Sequence, residues 1–280
     1  MITSPSNPKV ALLRSLHTPK GRAGAGAFLV EGPHVIGAAI EAGIAPFLLL
    51  YEPATLARTE EGRTLLDVLT QISETGQMEA LEVNMRALAH ACDTQTPQGI
   101  AGAVALADVV PERLRARRRG RFRPLVLVLD EVADPGNLGT ILRSALAADV
   151  DEVLLTSGSV DPYSPKVVRA ASGAHFHLPI VSQQSWEQIA QRLSGAPKTA
   201  QILLAEAHAA RPYYDVDLTQ RTALIIGNEA HGPSAQARRL ATERVSIPMW
   251  NGVESLNAAI AASILLFEAA RQQRGKRASE

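Results

Sequence analysis

The sequence predicts an α/β protein in two parts, the second organised around a mostly parallel sheet. Three observations carry that expectation. Strand-like and helix-like segments alternate through most of the chain, the arrangement that stacks helices on the faces of a sheet. Several strand-like runs are apolar without interruption, as parallel strands covered on both faces must be. The segment VPERLRARRRGRFRP, from Val110 to Pro124, breaks the apolar pattern and sets seven arginines against one glutamate between Glu112 and Arg123. It reads as an exposed connector.

Residues 1–110 form the first part. Its β-like runs are Ala27–Val30, Phe47–Leu50 and Ile100–Leu106, with helix-like His34–Ala42 among them, which makes a small α/β domain. Residues 111–124 are the basic linker, and 125–280 the second domain. There the candidate strands are Leu125–Leu129, Glu152–Thr156, Phe176–Val181, Gln201–Ala205, Ala223–Gly227 and Arg244–Ile247. Helix-like Leu138–Ala148, Ser185–Ser194 and Leu256–Arg271 separate or follow them.

Composition fits two such domains. The 280 residues are 46% apolar but only 4% aromatic, so the core must be built from Ala, Val, Ile and Leu. Basic and acidic residues balance at 28 each, and that balance alone predicts no polyanionic partner. The charges are segregated, however: ten acids face three bases between Glu41 and Asp108, and four bases face one acid from Arg271 to Glu280. A local basic surface for a phosphate backbone and a set of solvated linkers both satisfy this pattern. Cys92 is the only cysteine, which excludes an intramolecular disulfide and a thiolate metal centre. The amino-terminal residues lack the apolar stretch of a secretory signal, and no run of about 18 apolar residues predicts a membrane span. The expectation is a cytoplasmic protein with no membrane partner.

Three segments of the second domain carry residues suited to chemistry. In LDEVADPGNLGTILRSA, from Leu129 to Ala145, a strand ends at Leu129, Pro135–Gly136 turns the chain, and Asn137 takes the N-cap position of a helix. Leu138, Ile141, Leu142, Ala145 and Leu146 mark its apolar face, and Arg143 falls roughly 130° from the centre of that stripe. Arg143 thus points outward near the carboxyl ends of the strands, where open α/β sheets bind ligands. An ordinary capped helix with a solvated arginine has the same spacing. In LIIGNEAHGPS, from Leu224 to Ser234, Gly227 admits either a close approach to a ligand or only a turn. In IPMWNGVESLNAAIAASILLFEAAR, from Ile247 to Arg271, Ser255 caps a helix that is apolar on nearly every side, suited to a deep core or a subunit interface.

Other residues carry weaker signals. The glycines do not form GxGxxG, so a dinucleotide-binding enzyme gains no support, and neither Ser172 nor Ser234 sits in a GxSxG elbow. His175 and His177 alternate on a predicted strand with no cysteine or third histidine near them, so they are assigned structural roles and no metal is expected. His231 is assigned a loop hydrogen bond in preference to proton transfer. Trp250 either stacks on a base or anchors its loop.

Taken in order, the three segments resemble the SpoU (TrmH) family of RNA 2'-O-ribose methyltransferases, of the SPOUT class. The resemblance lies in Asn137, Leu138, Gly139 and Arg143; in Gly227, Asn228, Glu229 and Gly232; and in Ile247, Pro248, Met249, Ser255, Leu256 and Asn257. It runs from Leu125 to Arg271 and takes in DPYSPKVVRAASGAHFHLPI, Asp161 to Ile180, which looks like the family's linking region. Pro233 stands where the family more often has leucine. The first domain looks more loosely like the family's substrate-binding domain, which is similar to a small RNA-binding ribosomal protein, at Ser4–Val10, Phe28–Ile36 and Thr96–Val104.

That resemblance implies a deep trefoil knot at the carboxyl end, whose loops hold S-adenosylmethionine (AdoMet). Gly227, Ile247 and Leu256 would line the cofactor pocket, with Leu204 and Ala205 at its floor. It implies methyl transfer to a ribose 2'-hydroxyl, with Arg143 at that hydroxyl. Guanidinium stays protonated in proteins, so Arg143 is expected to clamp a phosphate and stabilise charge growing on the 2'-oxygen. The proton then passes to phosphate, water or a carboxylate. Asn137 would orient Arg143 or the ribose, Glu229 would hold the local network, and Ser255 and Asn257 would position substrate and loop. The implied partners are RNA and a second copy of the chain in a homodimer. The separate amino-terminal domain favours rRNA over tRNA as the substrate. A non-catalytic RNA-binding protein of the same fold is the remaining alternative, opposed by Asn137, Arg143, Glu229 and Asn257.

Overall fold

In the computed structural model, which describes residues 1–73, 78–117, 125–195 and 199–277, the chain divides into two compact units. One comprises Met1–Arg113 with Tyr163–His177, the other Leu114–Pro162 with Leu178–Glu280.

The first unit begins with α1 (Pro8–Ser15), α2 (Pro19–Ala25), β1 (Ala27–Glu31), α3 (Pro33–Glu41) and β2 (Leu48–Tyr51). Next come α4 (Pro53–Leu56), α5 (Glu60–Ser73), β3 (Glu79–Glu82), α6 (Met85–Ala91) and β4 (Ile100–Ala105). Proline opens α1 to α4, at positions where its missing N–H has no helical partner to lose. The sheet order is β1-β4-β2-β3, with only β2 and β3 parallel. Leu29, Leu48, Leu50, Ala101 and Ala103 from its strands bury one face against Val10, Leu13 and Leu88 of α1 and α6. β3 is an edge strand of sequence EALE, half polar, and nothing in its patterning announces a strand.

Helix α7 (Pro111–Arg117) begins in the first unit and ends in the second, which supplies β5 (Leu125–Leu129), α8 (Pro135–Ala147) and β6 (Glu152–Thr156). After α9 (Pro165–Ala171), which belongs to the first unit, come β7 (Ile180–Gln184), α10 (Trp186–Ser194), β8 (Gln201–Ala205) and β9 (Arg211–Pro212). The series ends with β10 (Thr222–Ile226), α11 (Ala235–Leu240), β11 (Glu243–Ser246) and α12 (Ala258–Arg277). All seven strands run parallel, in the order β7-β6-β5-β10-β8-β11-β9. The order runs outward from β5 to β7, then resumes on the other side, with β10 between β5 and β8. Succession reverses between β5 and β10, the place where such sheets open a crevice beyond the carboxyl ends of the strands.

Several expectations are corrected. The connector is not bare: α7 buries Leu114, and its Arg115 Nη2 donates to buried Glu152 Oε2 at 2.6 Å. Residues 118–124 lie outside the described residues. The strand expected at Phe176–Val181 starts only at Ile180, because Phe176 and His175 are taken up by the first unit's aromatic cluster, 6.5 and 6.0 Å from the Phe28 ring. His175 and His177 therefore do not alternate on a strand. α12 is not buried all round. Its alanines 258, 259, 262, 269 and 270 are buried, but Ile260 and Phe267 are half exposed on one stripe. Ser263 Oγ meets Ser144 Oγ of α8 at 2.8 Å, which small residues allow.

The returning segment is tied to the first unit by charge as well. Arg169 of α9 donates from Nη1 to Glu31 Oε1 at 3.2 Å and from Nη2 to Asp93 Oδ2 at 2.8 Å. Glu31 is buried and also accepts from the backbone N–H groups of Asp93 and Thr94. Arg169→Ala leaves that carboxylate without its cation. Breaking a buried pair costs several kcal/mol, and the one-third exposure of Arg169 reduces this to about 1–3 kcal/mol. The expected outcome is a lower thermal midpoint by circular dichroism; an unchanged midpoint contradicts it.

Candidate active site

The loops leaving β8, β10 and β11 converge on a cavity of about 410 Å³ in the second unit. This is a size suited to a small molecule. Ala205–His208 end and follow β8, Ile226–Ala230 end and follow β10, Ile247 and Met249 follow β11, and Glu254–Leu256 lead into α12. Ile226, Ile247, Met249 and Leu256 give it apolar lining, while Glu206, Glu229, Arg238, Glu254 and Ser255 supply charge and polarity. Six predicted site residues, Ala205, Gly227, Glu229, Ile247, Ser255 and Leu256, share this cavity. Leu204 does not: its side chain is buried in the aliphatic cluster with Val126, Val128 and Ile225.

A hydrogen-bonded chain runs beside the cavity. Asn257 Oδ1 accepts from Ala259 N at 2.9 Å and Ile260 N at 3.2 Å, so Asn257, not Ser255, is the N-cap of α12. With its oxygen so used, Asn257 turns its amide nitrogen outward and donates to Asn137 Oδ1 at 2.9 Å. Asn137 is left with its own amide nitrogen, which donates to Glu229 Oε1 at 2.8 Å. Each link fixes the direction of the next. Asn137 is free for this because it is not the N-cap of α8: Asp134 Oδ1 caps that helix by accepting Asn137 N at 2.7 Å. Asp134 before Pro135 was the readable signal, since aspartate at the N-cap and proline at N1 are both favoured.

The loop from Gly227 to Ser234 is pinned at both ends. Asn228 Nδ2 donates to Glu131 O at 2.7 Å, while its Oδ1 accepts from Ala230 N and His231 N. Ser234 N donates to Oδ2 of buried Asp130 at 2.7 Å, and Ser234 Oγ caps α11. Asp130 and Asp134 were absent from the predicted set, and Asn228 was named only as part of the second motif, with no role; only the position of Asp130 at a strand end could have drawn attention to it. Gly227 turns out to make room for the chain itself. A Cβ there would sit 2.6 Å from Pro233 N and 2.7 Å from Pro233 Cα, both backbone atoms that cannot swing aside.

Arg143 stands apart from this network. It is exposed on α8, and among the described residues no group bonds to its guanidinium. It lies six residues beyond Asn137, an advance of about 9 Å and a rotation of about 120°, and it does not line the cavity. The cation that does line it, Arg238, donates to Glu206 Oε1 at 3.0 Å, and Glu206 also accepts from Arg244. Among the described residues no cluster of histidine, cysteine and carboxylate is gathered to hold a metal ion. No helix among them is long and apolar enough to cross a membrane.

Gly227→Ala is expected to push the 232–233 backbone away from β10, at an overpacking cost of about 1–3 kcal/mol. Differential scanning calorimetry checks this; a variant melting with the wild type rules the packing argument out.

Comparison with known proteins gives the following. Residues 124–267 match the model of the SpoU rRNA methylase family, and residues 7–102 match an MRM3-like substrate-binding domain. The 23S rRNA (guanosine(2553)-2'-O)-methyltransferase RlmP of Bacillus subtilis is 33% identical over 267 residues, covering 95% of this chain and 97% of that protein. The mitochondrial rRNA methyltransferase 3 of Mus musculus is 35% identical, covering 90% of this chain and 69% of its own length. Among solved structures, the SpoU methyltransferase AviRb of Streptomyces viridochromogenes, in complex with the cofactor AdoMet, superposes with a TM-score of 0.78. It is 31% identical over 96% of this chain and 100% of that one.

Proposed function

Because the chain belongs to the SpoU rRNA methylase family, we propose that it transfers the methyl group of AdoMet to a ribose 2'-hydroxyl of rRNA. The observation that carries the reading is the Asn257–Asn137–Glu229 chain standing beside a cavity into which three strand-end loops open. The cavity suits the cofactor chemically. Ile226, Ile247, Met249 and Leu256 offer apolar surface for an adenine, and the loop backbones at Ala205, Gly227 and Ile247 offer polar edges. Glu229 and Glu254 give it anionic charge for a cationic sulfonium, Glu206 being paired with Arg238 and Arg244. Bound there, AdoMet supplies a methyl group already activated for displacement.

What this chain's residues must then do is align the acceptor hydroxyl and receive its proton. Glu229 has one oxygen held by Asn137; its other oxygen is available to the hydroxyl or to a bridging water. Asn137, fixed from behind by Asn257, keeps that carboxylate from swinging. Arg143, protonated, clamps a neighbouring phosphate and stabilises charge developing on the 2'-oxygen. The first unit binds the RNA, a role supported by its match to a substrate-binding domain, which also favours rRNA over tRNA.

The proposal extends to a deep trefoil knot and to a homodimer. The knot reading is supported by β10 lying between β5 and β8. The dimer reading is supported by the apolar stripe of Ile260 and Phe267, about two turns apart on α12. A second copy docked on α12 covers that stripe. It also gives Arg143 a partner's acceptor nucleotide to reach.

Two outcomes test these readings. Arg143→Ala should lower turnover on unmodified rRNA by about 10²- to 10³-fold, the usual loss of one charge-stabilising donor, with AdoMet affinity by calorimetry unchanged. Near-normal turnover refutes the role of Arg143. Ile260→Asp with Phe267→Asp should shift the sedimentation mass from twice the chain mass to one. A wild-type protein that sediments as a monomer at micromolar concentration refutes the dimer.

A further inference from the structure

We propose that Trp250 is a stacking platform for a nucleobase within one nucleotide of the methylated ribose, and so supplies part of this enzyme's affinity for RNA. The inference rests on the reading of the site as an RNA methyltransferase. Trp250 is 76% exposed, an unusual state for an indole, and the nearby Val253 is 52% exposed.

The loop that carries it is not loose. Val253 N donates to Trp250 O at 3.3 Å, and between them Asn251 and Gly252 have φ of 59° and 73°. Two successive left-handed residues of the Asn-Gly type make a tight primed turn, a conformation that these residues hold at little cost. The turn therefore holds the backbone that carries the indole in a defined place. On its amino-terminal side Met249 lines the cavity, and on its carboxyl-terminal side Glu254, Ser255 and Leu256 do. The ring stands on a turn bounded on both sides by cofactor-cavity residues, and a ribose brought to that cavity carries a base within its reach.

Charge decides what part of the RNA meets it. Glu254 adjoins the turn and Glu229 faces the same cavity, so a phosphate is repelled there while the uncharged face of a base is not. An aromatic face accepts any base, and alanine substitution at such platforms weakens binding by about 5- to 150-fold.

The experiment uses the full chain with AdoMet and rRNA purified from cells lacking its gene. The chain has two tryptophans, and Trp186 is packed against the core of the second unit. Quenching of tryptophan emission by RNA should therefore come from Trp250, persist in Trp186→Phe and vanish in Trp250→Ala. In Trp250→Ala the KM for RNA should rise by about 5- to 150-fold, with AdoMet affinity and sedimentation mass unchanged, and Trp250→Phe should recover most of the loss. An unchanged KM without quenching overturns the stacking platform. So does a Trp250→Ala protein that loses its partner copy or its AdoMet, since the ring then serves the fold or an interface. A wild type that methylates no RNA overturns the reading of the site beneath it, and the platform with that reading.

Discussion

Three stretches of chain far apart in sequence meet through two side-chain amides and one carboxylate. Asn257 and Asn137 are 120 residues apart, and Asn137 and Glu229 are 92 apart. Each bond contributes about 1 kcal/mol to stability at most positions, so the chain's value is not chiefly energetic. It is directional. An asparagine amide has one accepting and one donating end, and the capping of α12 consumes the accepting end of Asn257. From that point the orientation of every group through to Glu229 is determined. The start of α8, the start of α12 and the loop after β10 cannot shift independently without breaking a link.

The sheet order explains why this meeting point is also a cavity. β10 enters beside β5 after the chain has built four other strands, so the loops following β8, β10 and β11 leave from neighbouring strand ends and enclose space between them. The enclosure depends on close backbone approach at Gly227 and on Asp130 anchoring the far end of the same loop. A loop held this firmly presents its polar groups before any ligand arrives, so little ordering entropy remains to oppose binding.

The sheet of the second unit was legible because buried parallel strands have continuous apolar runs, and Leu125–Leu129, Glu152–Thr156 and Gln201–Ala205 are observed as expected. Helix ends were less so. Asn137 and Ser255 are both residues that cap helices well, and each stands within three residues of the true cap, Asp134 or Asn257. At α12 propensity alone does not choose between Ser255 and Asn257; at α8 the Asp134–Pro135 pair was the overlooked cue, and Glu229 claims Asn137. Phe176 illustrates the same limit. Its apolar run fits a strand, but aromatic packing with Phe28 decides its conformation, and that partner is remote in sequence. Glu206 and Arg238 were invisible for a plainer reason: charged residues just after strands and on helix surfaces are common, and only their convergence marks them.

The excursion of Tyr163–His177 into the first unit bears on how such an enzyme can be rearranged. The chain quits that unit after Arg113, re-enters at Tyr163 and departs again after His177. No one cut separates the halves: severing the gene near residue 124 strands α9 and Phe176 with the wrong fragment and bares Phe28, Glu31 and their neighbours to water. Recombination that swaps the amino-terminal module between enzymes must therefore transplant a discontinuous graft. A lineage acquiring a new targeting module inherits compatible residues in the middle of its catalytic half, or it inherits a module that does not fit.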